Sequence, residues 1–280
     1  MIAGIKDILI GVTTEYEPGG QSAIVLYGLS LAQLSQAHVT VQSASIGIRL
    51  HSAWIGQIAA DLAGSENARR KALAEAVAQC ARQEAVATGV DCSVHTPHLG
   101  YRELLESFTT QARLHDLTIV DAEPDALNTD RGVIEKLLTQ SGRPLVVVPP
   151  ACGAFQCRRA IVAWDGSAKA ARAANDAVPL LRHAEAVEVV SVLGEKELPG
   201  GTSGTELAVH LVRHGVRASA ETVISDDGDV ARTLRDAARQ QSADLIVMGA
   251  FVHSRLREFT LGGVTQSLLK KCDVPLFMSY

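Results

Sequence analysis

ADLIVMGAFVHSRLREFTLGGVTQSLLKKCDVPLFMSY, residues 243–280, closes the chain, and HDLTIVDAEPDALNTDRGVIEKLLTQSGRPLVVVPP, residues 115–150, closes its first half on the same plan. Each stretch reads as an apolar strand, a variable loop, a Gly-Val pair opening a helix, and a short apolar strand led by proline. Gly132 lies 12 residues before Pro144, and Gly263 lies 12 before Pro275. The half starts match as well: KDILIGVTTE (6–15) stands against RRAIVAWDGS (158–167). Self-similarity at this scale means two copies of one structural unit. The expected domains are 1–150 and 157–280, joined through PPACGAFQC, whose prolines and glycine suit a linker.

Working back from the closing stretch, the second half alternates strictly. Ala160–Trp164 is a continuous apolar run, as expected of a strand buried on both faces of a parallel sheet. A helix over 168–183 follows, with Ala171, Ala174, Val178 and Leu181 at helical spacing. Then come a strand (Val187–Leu193), a helix opened by the capping box Ser203-x-x-Glu206, a strand (Ala218–Ile224) and a helix (Asp229–Gln240). A strand (Asp244–Met248), a helix (Gly263–Lys271) and a strand (Pro275–Met278) complete it. Strands alternating with helices give an α/β protein of two tandem doubly wound domains, each with a five-stranded parallel sheet flanked by helices. The first half is longer, and most of its surplus falls in Gly47–Gly64. There Trp54, Ile55, Ile58 and Leu62 space like one helix face, so a helix extension packed on the sheet is expected. A partner-binding flap is the alternative.

Composition narrows the function classes. The first 150 residues carry 11 Lys+Arg against 16 Asp+Glu, and the remainder 15 against 15. Neither half is a basic surface for nucleic acid or membrane. No apolar run reaches the ~18 residues that span a bilayer, and the charged N-terminus is unlike a signal peptide, so the expected location is cytoplasmic. Five scattered cysteines argue against a disulfide or zinc framework. Cys152 and Cys157 read as reduced linker thiols, with a redox switch as the alternative.

In an open α/β sheet, ligands sit beyond the carboxyl ends of the strands. Asp165 follows the first strand of the second half and can accept from a ribose or a base amine, or serve its helix start. Gly249 ends the fourth strand, where a missing side chain leaves room for a ligand. Gly262 and Gly263 open the next helix, whose free N–H groups form an anion site, with Arg255 and Arg257 adding positive charge. Both halves resemble the universal stress protein domain, and MGAFVHSRLREFTLGGVT (248–265) carries the most specific part of the likeness. Nucleotide-binding members of that family have Gly-x2-Gly-x9-Gly-Ser/Thr after the fourth strand and an Asp after the first. The resemblance therefore implies an ATP or ADP site in the second domain, with Mg²⁺ accompanying ATP. Asp165 would contact the nucleoside, Val192 and Met248 the base, and Gly249, Val252, Gly262, Gly263, Val264 and Thr265 the phosphates and ribose. It further implies a pseudo-dimer, in which the last strands near Leu145–Val148 and Leu276–Met278 pair across the domains.

Two positions depart from the pattern. Val252 replaces the second glycine, which is unfavourable by roughly 1–2 kcal/mol if that position needs φ > 0. Gly263 replaces the Ser/Thr, leaving Thr265 to supply a hydroxyl. The first half departs further: Thr13, Thr14 and Glu15 replace Asp165-Gly166-Ser167, and its loop carries Asp121, Glu123, Asp125 and Asp130, which repel phosphate. It reads as a degenerate, structural partner. Of the remaining groups, His210 and His214 sit four apart as zinc ligands can, and His253 lies within the loop. Asp226–Asp229 and GGTSGTE (200–206) read as turn and cap chemistry. Sequence places no Ser-His-Asp set on one edge. The expected function is a stress-response protein that binds an adenine nucleotide, with at most weak ATPase activity. The alternative is a nucleotide-independent scaffold acting through a protein partner, and a homodimer is compatible with either.

Overall fold

The computed structural model describes residues 1–12, 22–48, 57–122, 129–193, 203–225, 227–250, 252–255, 258–271 and 273–280. For 57, 129–130, 252–255 and 258–260 it describes the backbone course alone. The first half contains β1 (Asp7–Val12), α1 (Ala23–Ser35), β2 (His38–Ser43), β3 (Ser45–Ile46), α2 (Gln57–Thr88), β4 (Cys92–His95), β5 (His98–Leu99), α3 (Tyr101–Ala112), β6 (Leu117–Asp121), α4 (Thr129–Gln140) and β7 (Leu145–Val148). The second contains β8 (Arg159–Ala163), α5 (Ala168–Asp176), α6 (Val178–Leu181), β9 (Ala186–Leu193), α7 (Gly204–Arg213), β10 (Ala218–Ile224), α8 (Val230–Gln240), β11 (Leu245–Gly249), β12 (Val252–Arg255), β13 (Glu258–Leu261), α9 (Gly263–Lys271) and β14 (Leu276–Ser279).

Ten strands form one sheet in the order β10-β9-β8-β11-β14-β7-β6-β1-β2-β4. Each half contributes five parallel strands, and the single antiparallel step joins β14 to β7, with Phe277 opposite Val146. The resemblance implied this junction. It exists because both strands are apolar and fully buried, so neither is left as an exposed edge. The two cores are consequently continuous across the domains. On one face, the residues around α1, α2, α5 and α7 pack with Val146, Val148 and Phe277. On the other, α3, α4, α8 and α9 pack with Leu145, Val147, Leu276 and Met278. Burying each such Val, Leu or Phe stabilises the fold by about 1.5–3 kcal/mol.

The duplication extends to a device that sequence comparison missed. Asp116 Oδ2 accepts from the backbone N–H groups of Lys6 and Asp7 at 2.8 and 3.2 Å. Asp244 Oδ2 accepts from Arg158 and Arg159 at 2.8 and 3.0 Å. In each half the Asp just before the fourth sheet strand secures the entry of the first.

Three local expectations change. The helix over 168–183 is interrupted at Ala177, the end of α5 and the start of α6, because Pro179 has no N–H to continue the ladder. The closing loop contains an antiparallel hairpin, β12–β13, pairing Val252 with Leu261. The insert does extend α2, but Ile58 and Leu62 are 79% and 65% exposed instead of packed on the sheet; Trp54 and Ile55 lie outside the described residues. Polar tethers hold this part of α2. Asn67 exchanges hydrogen bonds with the backbone of Ile48, at 2.7 and 3.0 Å, and Arg70 donates to the Ile46 carbonyl. Among the described residues no helix is long and apolar enough to cross a membrane.

Candidate functional site

In the second half, β8 has β9 on one side and β11 on the other, so the strand order diverges beside it. A ligand crevice belongs beyond the carboxyl ends of the strands at that point. A cavity of about 340 Å³ opens there, at the lower end of the ~300–1,000 Å³ typical of small-molecule sites. Eight of the residues singled out from sequence line it: Asp165, Val192, Met248, Gly249, Gly262, Gly263, Val264 and Thr265. Sequence reasoning missed Trp164, just past the end of β8, and Val190, which β9 places opposite Ala163 at the same edge. It also missed Val230 and Leu234, which α8 contributes.

The cavity has an apolar slot and a polar rim. Val190, Val192, Met248, Val230 and Leu234 form the slot. On the rim, Gly166 adopts φ +75°, the left-handed region that glycine enters freely, and Ser167 caps α5 by accepting from Ala170 N–H at 3.1 Å. Exposed Asp165 uses Oδ1 to accept from Ser167 N–H at 2.9 Å. This is its expected role at the helix start; among the described residues no hydrogen bond to its second carboxylate oxygen is seen. Opposite, α9 begins at Gly263, and a Cβ built there meets nothing within 4 Å. The first amides of that helix lack intrahelical partners and carry the positive end of its dipole. Thr265 lies behind them, 1% exposed.

Gly249 has a steric reason beside the one expected. A Cβ at this position would lie 2.5 Å from the Ala170 amide nitrogen and 2.7 Å from the Lys169 carbonyl carbon. The α5 backbone crossing the end of β11 therefore requires glycine here, at a position that also lines the cavity. Val252 also reads differently. It belongs to an extended strand, which β-branched residues favour, so the anticipated left-handed penalty does not arise. The side chains of Val252, His253 and Arg255, and all of Arg257, lie outside the described residues.

The equivalent place in the first half is filled from within. A Cβ at Gly132 would collide with the Tyr101 hydroxyl, so that side chain occupies the space over the first turns of α4 that stays open at Gly263. Asp121 is buried, at 3% exposure. Thr13, Thr14, Glu15, Glu123 and Asp125 lie outside the described residues, as does the Asp130 side chain.

The other groups resolve locally. The His210 and His214 rings meet at a tilt, with centroids 4.6 Å apart, His210 bonds Asn175, and no metal-holding group of three His, Cys, Asp or Glu occurs among the described residues. Asp229 caps α8 through Arg232 N–H at 2.9 Å. Asp227 accepts from Asp229 N–H, a bond that holds its carboxyl below the usual range, and pairs with Arg232. Ser203 and Glu206 form the expected capping box. Cys152 and Cys157 form no disulfide, and burial pushes the Cys157 thiol up to about 12.

One constellation was not visible in sequence. His38 Nε2 lies 3.0 Å from Ser93 Oγ, and His38 Nδ1 lies 3.4 Å from Asp7 Oδ1. Three adjacent strands bring this set together at the amino-end edge of the sheet, away from the cavity. An acyl-transfer site also needs free donors for an oxyanion. Here the neighbouring amides of Lys6, Asp7, His38 and Val39 are all committed, to Asp116, Lys6 and Asp91.

Comparison with known proteins places this geometry in context. The model of the Universal stress protein family matches residues 156–279. The whole chain is similar in fold to a universal stress protein from Archaeoglobus fulgidus DSM 4304, with a TM-score of 0.66, 15% identity, and coverage of 98% of this chain and 95% of that one. A functionally unknown protein from Pseudomonas aeruginosa PAO1 gives a TM-score of 0.55 at 15% identity, with coverage of 98% and 92%. At these identities the likeness speaks for the fold alone. No curated protein sequence matches the chain.

Proposed function

We propose that the chain, whose residues 156–279 match the model of the Universal stress protein family, binds one adenine nucleotide in the C-terminal domain. One observation carries the reading: eight residues chosen from sequence converge on a single cavity with an apolar slot at one end and the α9 N-terminus at the other. A purine fits the slot chemically, since Val190, Val192, Met248 and Leu234 offer apolar faces to a flat ring. The second carboxylate oxygen of Asp165 suits ribose hydroxyls or a base amine. The amides that start at Gly263 suit phosphate oxygens. Mg²⁺ accompanying ATP would offset phosphate charge. Turnover would be slow, because Asp165 is the cavity's one titratable side chain among the described residues and it already serves the turn into α5. Tyr101 over Gly132 supports a single site, in the second domain.

Calorimetric titration with ATP and Mg²⁺ tests the proposal, with one nucleotide per chain expected and Gly262→Val removing it. No heat of binding at millimolar nucleotide would overturn it. Ile58 and Leu62, exposed on α2, favour the second reading, a scaffold that meets a protein partner along this helix. That reading gains if the cavity binds no nucleotide.

A further inference from the structure

Leu261 immediately precedes the glycine pair at the start of α9, and both halves of the chain hold its backbone. Its N–H donates to Oε1 of Glu135 at 3.4 Å, across 126 positions of sequence. Its carbonyl accepts from the side-chain amide of Gln266, in the first turns of α9. The Leu261 side chain is buried, at 2% exposure. Glu135 lies on α4 of the first domain and is itself only 18% exposed; Arg131, one turn earlier, donates to the same carboxylate oxygen at 3.0 Å. Val133, Ile134, Leu137 and Leu138 fix α4 in the core, so the carboxylate cannot follow a moving loop.

We propose that Glu135 is a positioning residue through which the N-terminal domain sets the entry of the C-terminal phosphate-facing loop into α9. The antiparallel β7–β14 junction brings α4 to that loop. The β12–β13 hairpin lets the second domain's longer loop reach it. Where the chain enters α9 decides where the first amides of that helix point, and those amides line the phosphate end of the cavity. Arg131 offsets the carboxylate, so Glu135 holds a backbone N–H without adding net negative charge beside an anion site. On this account the first domain contributes to binding while its own counterpart site is filled by Tyr101.

The consequence for binding rests on the nucleotide reading; the clamp does not. The test compares the full chain with Glu135→Met, which keeps length and helix propensity but removes the carboxylate acceptor, and with Glu135→Gln, which keeps one. Amide exchange at Leu261 is read relative to Val247 in β11, so any global destabilisation cancels. The Met variant is expected to lose about tenfold in relative protection at Leu261 and about three- to tenfold in ATP·Mg²⁺ affinity. Glu135→Gln restores both. Unchanged relative exchange at Leu261 overturns the clamp, and loosened exchange with unchanged ATP affinity overturns its role in positioning. If the wild-type chain binds no ATP, the nucleotide reading falls, and the Leu261 exchange still decides the clamp.

Discussion

At the residue scale, two glycines of one motif serve opposite purposes. Gly249 is sterically required by the α5 backbone, whereas Gly263 faces open space. Gly249→Ala is expected to destabilise the protein by about 1–3 kcal/mol through overpacking, seen as a lower denaturation midpoint whether or not nucleotide is present. Gly263→Ser should leave stability nearly unchanged and tighten ATP binding about threefold to tenfold by adding a donor; weaker binding would mean that phosphate does not approach this turn. Sequence identified both residues but could not separate these roles, because the backbone that requires Gly249 to be glycine arrives from α5, far away in the chain. The Cys157 thiol makes a further prediction. Burial raises it to about 12, so between pH 9 and 12 the unfolded thiol releases a proton that the native one keeps. Its contribution to stability is present below that window and is lost as pH rises through it. Alkylation at pH 8.5 should accordingly modify exposed Cys80 and spare Cys157 until the protein unfolds.

At the element scale, the legible features were those with local causes. Apolar runs gave the buried strands, and Ser203-x-x-Glu206 gave the start of α7, because a capping box is completed within four residues. The break at Ala177 was signalled by Pro179 but outweighed by the helical spacing of Ala171, Ala174, Val178 and Leu181. The exposure of Ile58 and Leu62 was not legible, since periodicity reports a face without reporting whether a partner element exists to cover it. In that part of α2, hydrogen bonds from Arg69 and then Arg70 hold the Glu66 carboxyl down at about 2. A lowered carboxyl contributes stability above its ordinary value near 4.5 and loses it as pH falls toward 2. Amide protection around Glu66 should therefore fade across this range before the sheet core opens, as exchange at pH 5 and pH 2.5 would show. Simultaneous loss in both regions would contradict a local origin.

At the scale of the whole molecule, duplication was readable from sequence and the shared sheet was not. The β7–β14 pairing is a contact between halves, and no local pattern specifies it; only the family resemblance implied it. It turns two five-stranded units into one ten-stranded sheet with continuous cores. Val146→Pro, opposite Phe277, should cost about 3 kcal/mol or more by placing a residue without an N–H in a central strand, and should lower the stability of both halves together. Separate melting of the halves would count against a common core. The same duplication frames the functional claim, since one copy begins its helix beside open space at Gly263, while in the other Tyr101 lies against Gly132 in the first turns of α4. The most direct measurement is amide exchange across the whole chain with and without ATP and Mg²⁺. The account predicts new protection at Gly263–Gln266 and around Asp165, with the first turns of α4 unchanged. Protection at α4, or none at α9, would contradict it.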